Sequence, residues 1–356
     1  MTKAETEQLL SPFRLAVCPA TTLALDQVVD LIDPTKIYFE SATVSTEPVS
    51  VWHLDNARQS ARQHPYGSIQ LDRQLLCTDL ITDDHYRNTL HGARRTAQSC
   101  EVLIAPWSHY LDGVVWGGYF DYVILVAAKL CRIKGAVLEA VFNRALIAYP
   151  LFDTQYERDF LALLNIPMER VVDSRLVDVS FQQCLLAGAG HWFYPNQADI
   201  QALRRYVLAQ AAPPNGQRTR VYISRGGRRR VQNEAEVIEL LRQYGFDCIA
   251  DTPRSVLEQV AIYRNAEVIV GPHGASFSNI IWCQPGTHLL ELFAPTYYPD
   301  FFRNLAQSLG MQYTAYFHGE AHVGKWTRGL EDDMYVSIPE LKACLNHLLC
   351  DSDQEA

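Results

Sequence analysis

The sequence predicts an α/β protein of two lobes, the second of them a doubly wound, Rossmann-like parallel sheet. After residue 217, short apolar runs of strand length alternate with amphipathic stretches of helix length, and this alternation is typical of parallel strands joined by right-handed crossovers. In addition, the apolar run 268–270 leads through small residues into a predicted helix. Backbone N–H groups at such a junction can bind an anion. The second lobe is therefore predicted to hold a phosphorylated nucleotide.

The boundary between the lobes is predicted at residues 211–216, because AAPPNG combines small residues, a proline pair and a glycine. A chain of 356 residues is also long for a single hydrophobic core. We predict a first lobe over residues 1–210 and a second over 217–330. Residues 331–356 are expected to contain a last helix that returns to the first lobe.

Composition limits the possible partners and compartments. A net charge of −9 argues against a general binder of nucleic acid or of anionic membranes. Nine cysteines are scattered without a CxxC pair, which is typical of buried thiols in a reducing compartment. The N-terminal residues MTKAETEQLL lack the apolar run of a signal peptide, and no stretch is apolar enough for a membrane span. These features predict a cytoplasmic protein; they do not indicate an oligomeric state.

The predicted elements follow apolar periodicity and capping signals. The first lobe is expected to contain short strands over residues 1–105, a buried helix from about Tyr119, and a helix over 196–207 with Asn196 as its N-cap. The second lobe is predicted to contain strands 221–224, 246–249, 268–270 and 288–292, helices that begin at Asn233, Ser255 and Ala275, a helix over 299–309 that ends at Gly310, and a last helix over 339–349.

Four arginines follow the first strand of the second lobe, at the sheet edge where open α/β sheets bind ligands: Arg225, Arg228, Arg229 and Arg230. A guanidinium group matches the paired oxygens of a diphosphate. We predict that at least one of these side chains binds phosphate, with Arg225 first and Arg228 next. A solvated basic loop is the alternative.

The loop after strand 268–270 supplies the other predicted ligand-binding residues: His273, Gly274, Ala275, Ser276 and Asn279. His273 is expected to donate to phosphate or to the base edge, although a lone histidine is often a structural hydrogen bonder. Asn279 could contact the ligand or, as we favour, hold the loop. A hydrolase based on His273 and Ser276 is disfavoured because GASFS lacks the second glycine of a nucleophile elbow.

Two further residues complete the predicted nucleotide site. Asn233, with Glu236 three positions later, fits a capping box that explains it without a ligand. Glu291 ends a buried strand, and a buried carboxylate needs a partner. Ribose hydroxyl groups at this sheet edge would provide one, so Glu291 is predicted to bind ribose.

Taken together, a series of motifs over residues 220–292 resembles glycosyltransferase family 61. They are Ser224-Arg225, Asn233-Glu234, Glu258-Gln259, Gly271-Pro272-His273-Gly274-Ala275, Asn279 and Glu291. The resemblance implies two facing Rossmann-like lobes of GT-B type, with the acceptor bound by the first and the donor by the second. It implies inverting transfer of a sugar from a nucleotide-sugar, expected to be a UDP-sugar, to a hydroxyl of a glycan. The donor is then a co-substrate, and no resident cofactor is expected. Capsular or exopolysaccharide assembly in a bacterial cytoplasm is the expected setting.

The acceptor hydroxyl needs a general base, which we expect in the first lobe. His109-Tyr110 with Asp112 resembles the His-aromatic-acid pattern of the family. The candidates are Asp112, His109 and Asp121, in that order; a helix cap is the alternative role of Asp112. Neither Asp83-Asp84 nor Asp332-Asp333 lies near a glycine-rich loop, so the mechanism is predicted to need no metal.

Two other functions were weighed. A nucleotide-sugar-binding protein without catalysis would keep the second lobe and lack the base in the first. A nucleotide-dependent oxidoreductase would need GxGxxG directly after a strand, and the sequence from Arg225 to Arg228 does not fit that pattern.

Overall fold

A computed structural model describes the chain over residues 2–55, 61–65, 67–71, 74–79, 95–107, 118–191, 193–322 and 329–350. It divides into two compact units, the first formed by Met1–Thr22 and Ser45–Ala211, the second by Leu23–Val44 and Ala212–Ala356. The division falls at the start of the AAPPNG segment. Residues 23–44, which the sequence analysis placed in the first lobe, belong to the second unit.

The first part of the chain, up to residue 211, combines strands with helices. Its strands are β1 (Arg14–Cys18), β2 (Thr22–Leu25), β3 (Val28–Val29), β4 (Ile37–Phe39), β5 (Ala42–Ser45), β6 (Val49–Leu54), β7 (Arg62–Gln63), β8 (Ile69–Leu71), β9 (Gln74–Leu75), β10 (Thr96–Ala105), β11 (Leu146–Tyr149), β12 (Val171–Asp173) and β13 (Val177–Ala187). Its α-helices are α1 (Lys3–Leu10), α2 (Tyr119–Asp121), α3 (Ala128–Ala136), α4 (Glu139–Arg144), α5 (Gln155–Leu163) and α6 (Gln197–Leu208).

The sheet of the first unit is mixed. Its six strands lie in the order β1-β6-β13-β10-β11-β12. The pairs β13-β10, β10-β11 and β11-β12 are parallel, whereas β6 pairs antiparallel with both β13 and β1. The predicted helix from Tyr119 is present and buried, and π-helical geometry over Tyr122–Ala127 joins α2 to α3. Asn196 caps α6 by accepting a hydrogen bond from the Ala198 N–H at 2.8 Å, as predicted.

The second unit has the predicted doubly wound sheet. Its strands are β14 (Thr219–Ile223), β15 (Phe246–Ile249), β16 (Ala266–Pro272), β17 (His288–Leu292) and β18 (Gln312–Tyr316), and its helices are α7 (Glu234–Gln243), α8 (Val256–Asn265), a 3-10 helix (Ala275–Trp282), α9 (Phe301–Ser308) and α10 (Ile338–Cys350). The five strands are parallel in the order β15-β14-β16-β17-β18. Counted along the chain this order is 2-1-3-4-5, whose topological switch point lies between the first and third strands, β14 and β16.

Local signals set most of the element ends in this unit. Ser255 and Glu258 form the predicted capping box of α8. Gly245 and Gly310 follow α7 and α9 with φ of +76° and +69°, a backbone region that favours glycine. The sequence analysis missed β18. None of the helices within the described ranges has the length and apolarity that a membrane crossing needs.

Two segments pack differently from the prediction. The last helix, α10, buries Leu341 and Leu345 in the core that contains Val237 and Leu241 of α7. The expected return of this helix to the first lobe is therefore wrong: its apolar face is covered within the second unit. Residues 23–44 also pack there. Their backbone carbonyls at Asp26 and Glu40 accept hydrogen bonds from the buried Arg303 guanidinium at 2.6 and 2.8 Å.

Candidate functional site

The candidate site lies at the switch point of the second sheet, where β14 and β16 end side by side. Tyr222 of β14 pairs with Val270 of β16. The strands approach so closely that a Cβ on Gly271 would lie 2.8 Å from the carbonyl oxygen of Ile223. The loop 224–231 follows β14, and His273-Gly274 follows β16. Ligands of open α/β sheets bind outside the strand ends at such a point, so these two loops form the expected binding edge.

Acidic side chains hold the first of these loops in place. The Arg228 guanidinium donates to Glu331 Oε1 at 2.7 Å, and the Arg230 guanidinium donates to Asp333 Oδ2 at 2.8 Å. The N–H of Gly226 donates to Asp251 Oδ2 at 2.7 Å. Arg228, a predicted phosphate ligand, thus already has a carboxylate partner. Its role in this structure is to position the loop.

The other two arginines, Arg225 and Arg229, have no salt bridge to any carboxylate in the described part of the chain. Arg225 Nε donates to the carbonyl oxygen of Arg228 at 2.5 Å. The Arg229 side chain is buried, its guanidinium carbon lies 5.2 Å from the Tyr297 ring centroid, and its Nε has no hydrogen-bond partner among the described residues. Burial, followed by the charge of Arg225, lowers the pKa of Arg229 to about 10. The site therefore holds two guanidinium groups that no carboxylate of the described residues contacts in a salt bridge.

Backbone geometry supports this arrangement of arginines. Arg229 has φ of +60°, a region that non-glycine residues rarely occupy and that is found in functional sites. Gly274 lies against Arg225: a Cβ built on Gly274 would be 1.8 Å from Arg225 Nη1. Any side chain at position 274 would push the guanidinium away. Because Gly274 has no side chain, the Arg225 guanidinium has room to lie against it.

His273 is held by a buried carboxylate. Its Nδ1 lies 2.5 Å from Glu291 Oε1, and the Tyr313 hydroxyl donates to Glu291 Oε2 at 2.7 Å. Burial, followed by the charges of Arg229 and Arg225, holds the pKa of His273 well below its ordinary value. Burial likewise raises the pKa of Glu291 well above the ordinary carboxyl value. Glu291 is 0% exposed and both its oxygens are engaged, so the predicted ribose contact gives way to a contact with His273.

The remaining residues after His273-Gly274 have two roles. Some begin the 3-10 helix, and Asn279 holds the loop in place. Ala275 and Ser276 open the 3-10 helix next to Gly274 and are partly exposed. The Asn279 side chain donates to Gln259 Oε1 at 2.8 Å and accepts from Trp282 Nε1 at 2.9 Å. Because Asn279 is buried and its amide is used within the protein, it holds the loop rather than a ligand.

Asn233 occupies the N-cap position of α7, but its side chain makes no capping hydrogen bond, so the predicted capping box is wrong. Its amide donates to the Val336 carbonyl at 2.8 Å and accepts from the Val336 N–H at 3.1 Å. Its neighbour Glu234 accepts from the Ser224 hydroxyl at 2.8 Å and so closes the loop 224–231. The Asn233-Glu234 pair therefore holds the scaffold of the site, and Asn233 is not available to the nucleotide.

Comparison with known proteins decides the family. The sequence model described as Glycosyltransferase 61 matches residues 102–290, which is more than half of the chain. The chain belongs to the glycosyltransferase 61 family. It is thereby placed among sugar-transferring enzymes, and the resemblance found in the sequence is confirmed. The match includes both loops of the candidate site.

The individual proteins that this chain resembles match it over a small part of their length or at low identity. The xylan glycosyltransferase MUCI21 of Arabidopsis thaliana is 30% identical over 103 residues, which are 26% of this chain and 20% of that protein. The chain thus matches about a fifth of the length of that relative. The crystal structure of the bacterial iron-containing dodecameric glycosyltransferase TibC from enterotoxigenic E. coli H10407 is 13% identical with a TM-score of 0.28, over 86% of this chain and 80% of that chain. Its complex with ADP-D-beta-D-heptose gives a TM-score of 0.27. Scores this low support no conclusion about fold or ligand.

Of the three candidate bases, the structure describes only Asp121. His109 and Asp112 lie outside the described residues. Asp121 is described: it is buried at the end of α2 and accepts a hydrogen bond from the Gly118 N–H at 3.2 Å. A carboxylate that caps the first turn of a helix has a structural role without any catalysis.

Sequence reasoning named Arg229 only as one of four arginines and did not identify Tyr297 or Tyr313. Tyr297 follows β17 at the same sheet edge as the two loops, a position that could have indicated it. Tyr313 lies on β18, which was missed.

Within the described ranges, no group of three or more His, Cys, Asp or Glu side chains is arranged to hold a metal ion. Of the two aspartate pairs considered for a metal, Asp83-Asp84 lies outside the described residues. In the second pair, Asp332 accepts from Thr296 and Asp333 from Arg230.

Proposed function

We propose that this protein transfers a sugar from a nucleotide-sugar donor to a hydroxyl of a glycan, with inversion and without a metal ion. A UDP-sugar is the expected donor. The observation that carries the proposal is the pair Arg225 and Arg229, two guanidinium groups without a salt bridge in the described part of the chain, at the switch point of a doubly wound sheet. Membership of glycosyltransferase family 61 supplies the reaction class.

A diphosphate matches the chemistry of these arginines. Burying a guanidinium without a counter-charge is costly, and Arg229 is only 6% exposed. A bound diphosphate would offset that cost through paired, charge-assisted hydrogen bonds. The same contacts would become stronger as the bond to the sugar breaks and negative charge gathers on the departing diphosphate. Positive side chains would then serve the purpose that a metal ion serves in other transferases.

Acceptor activation belongs to the same proposal. The hydroxyl that attacks the sugar must lose its proton to a base, and Asp112 is the first candidate, followed by His109 and Asp121. The GT-B arrangement of two facing lobes and a cytoplasmic setting are likewise parts of this proposal that rest on the sequence. The runner-up is a nucleotide-sugar-binding protein that lacks the base.

Donor binding provides the first test. UDP-, GDP-, CMP- and dTDP-sugars are compared by thermal shift with the wild-type protein, Arg225→Ala and Arg230→Ala. We expect one nucleotide class to stabilise the wild type and Arg230→Ala, because Arg230 is exposed and paired with Asp333, and to stabilise Arg225→Ala much less. Stabilisation by none of the four classes would contradict the proposal.

Sugar release provides the second test. The donor identified by thermal shift is incubated with the protein for many hours, and free sugar is measured. Because a transferase activates the anomeric carbon even when water is the acceptor, slow release is expected. Tight binding with no release above the uncatalysed rate would favour the binding protein.

A further inference from the structure

We propose that Glu291 and His273 form a proton relay to the departing diphosphate, in which Glu291 positions the imidazole and supplies the proton that moves through it. The inference rests on the proposed function, because it requires a diphosphate beside Arg225 and Arg229. It assigns Glu291 a role in the reaction without contact to the donor. His273 would be the catalytic residue, and Glu291 a positioning residue behind it.

The geometry of the second unit places His273 beside the arginines. Gly274, the next residue, lies against the Arg225 guanidinium. The Tyr297 ring has the Arg229 guanidinium carbon 5.2 Å from its centroid and the His273 ring centroid at 5.4 Å. His273 Nδ1 is occupied by Glu291, and His273 Nε2 has no hydrogen-bond partner among the described residues. The second ring nitrogen is therefore the one that a phosphate oxygen can reach.

The pair is enclosed by aromatic side chains that limit exchange of its protons with water. The His273 ring stacks on Phe293 with centroids 5.2 Å apart and contacts Phe302 at 5.4 Å. Glu291 is fully buried, and its second oxygen accepts the Tyr313 hydroxyl hydrogen. A carboxyl group in this environment retains its proton more readily than one in water, and the cationic Arg225 and Arg229 disfavour an imidazolium next to them.

The proton count of the relay is balanced. Before the reaction, Glu291 carries a proton on Oε1 that it donates to His273 Nδ1, and Nε2–H of His273 donates to a diphosphate oxygen. As the bond between the anomeric carbon and the diphosphate oxygen breaks, the Nε2 proton moves to the diphosphate, and the Glu291 proton moves to Nδ1. Glu291 is left as a carboxylate that accepts from Tyr313. The proton of the acceptor hydroxyl goes separately to the base. After product release, one proton from water restores the pair.

Charged and titratable groups face the pair from each neighbouring element. Arg225 and Arg229 lie in the loop after β14, Tyr297 follows β17, and Tyr313 lies on β18. Asp300, just before α9, adds negative charge that favours a protonated Glu291. The relay works only while the pair holds its proton, so turnover should fall at alkaline pH when Glu291 ionises.

The chain contains a matched control for Glu291. Glu340 is likewise paired with a histidine and a tyrosine: its Oε2 lies 2.9 Å from His318 Nδ1 and accepts from the Tyr316 hydroxyl at 2.8 Å. His318 and Glu340 are each about two-fifths exposed and are not among the residues of the candidate site. Replacing either glutamate by glutamine keeps the shape of the side chain but leaves no carboxyl group that could transfer a proton. The comparison thus separates the chemistry of Glu291 from the structural effect of a Glu-to-Gln change.

Kinetics test the relay with the donor identified by thermal shift, using sugar release as the readout. We expect Glu291→Gln to lower kcat by at least about tenfold, with KM and UDP affinity within twofold of wild type and without the alkaline fall in rate. Glu340→Gln should match the wild type. His273→Ala should lower kcat at least as much, and the double variant His273→Ala/Glu291→Gln should lose no more than His273→Ala alone, because residues that act as one unit are not additive. An unchanged kcat in Glu291→Gln would overturn the relay.

A spectroscopic readout does not depend on turnover. Imidazole ¹⁵N spectra, assigned by comparison with His273→Ala, should show His273 protonated at Nε2 and unprotonated at Nδ1. Protonation at Nδ1 in the unliganded protein would overturn the relay even if transfer occurs. A protein that neither binds nor hydrolyses any nucleotide-sugar would overturn the proposed function and the relay together, so the two failures are distinguishable.

Discussion

Gly274 and Arg225 are in such close contact that a Cβ on the glycine would lie 1.8 Å from Nη1 of the arginine. The two residues come from different loops, which follow β16 and β14. Gly274 has extended backbone geometry, with φ of 175°, that any residue can adopt. Glycine is therefore needed here for space and not for conformation.

This contact predicts the effect of Gly274→Ala. The methyl group should displace the Arg225 guanidinium while the fold survives, because the displaced atoms are the far end of a flexible side chain. We expect UDP affinity to fall by about tenfold or more, in line with loss of a charged hydrogen bond. Gly227→Ala is the control, because a Cβ there would meet no atom within 4 Å. Calorimetry that finds equal losses in both variants would contradict the prediction.

Arg229 is predicted to strengthen UDP binding while lowering the stability of the unliganded protein. Replacing it with methionine removes a buried guanidinium that has no counter-charge among the described residues, so the unliganded protein should melt at the same or a higher temperature. UDP binding should weaken by about 1.5–3 kcal/mol, the range for a hydrogen bond to a charged group. The same binding loss is expected for Arg225→Ala. A variant that melts lower but binds UDP normally would show that Arg229 is structural.

Activity is predicted to survive removal of divalent metals. Arg225 and Arg229 supply positive charge at the candidate diphosphate site, and Asp332 and Asp333 are each engaged by a side chain of the second unit. Sugar release should therefore be the same in excess EDTA as in buffer. Loss of activity that magnesium or manganese restores would show that a metal takes part.

Substitution tests the proposed base among Asp112, His109 and Asp121. If Asp112 is the base, Asp112→Asn should lower turnover by roughly 100-fold or more, while donor affinity and melting temperature stay near wild type. Asp121→Ala should instead lower the melting temperature, because it removes the oxygen that accepts from the Gly118 N–H at the start of α2. Full activity of Asp112→Asn with an inactive His109→Ala would move the role to His109.

Stability should depend on pH through His288, a half-buried histidine on β17. Burial lowers the pKa of His288 from 6.5 to about 4, so the unfolded chain binds a proton in this window that the native protein does not. The contribution is present above pH 6.5 and is lost as the pH falls towards 4. His288→Gln should reduce the loss of unfolding free energy between pH 6.5 and 5 by about 1–2 kcal/mol. Urea unfolding at both values provides the measurement. The exposed His322 provides the control through His322→Gln.

The sequence by itself determined several elements of the second unit, although not β18. Strands 246–249 and 288–292 and the capping box at Ser255 were predicted at the positions where the structure has them. These features depend on periodicity and on hydrogen bonds that span three residues, so they can be read locally. The family motifs were also recognisable, although their physical roles were not.

Tertiary structure decided what the motif residues do. They hydrogen-bond to one another across the fold: Ser224 to Glu234, Asn279 to Gln259 and His273 to Glu291. The sequence indicated a loop-holding role for Asn279 without identifying its partner Gln259, 20 positions away, and the predicted ribose contact of Glu291 did not anticipate His273, 18 positions away. A buried polar group must find a partner, and the sequence does not show which candidate will be within reach.

The same reason explains which arginines are left for a ligand. Arg228 and Arg230 are both paired with carboxylates 103 positions later in the chain, Glu331 and Asp333. Arg225 and Arg229 belong to the same short loop and have no salt bridge in the described part of the chain. The four arginines look equivalent in the sequence. They differ only once the chain after β18 places carboxylates beside two of them, which leaves the other two for a ligand. Charge pairing depends on distance in space, and the fold alone sets that distance.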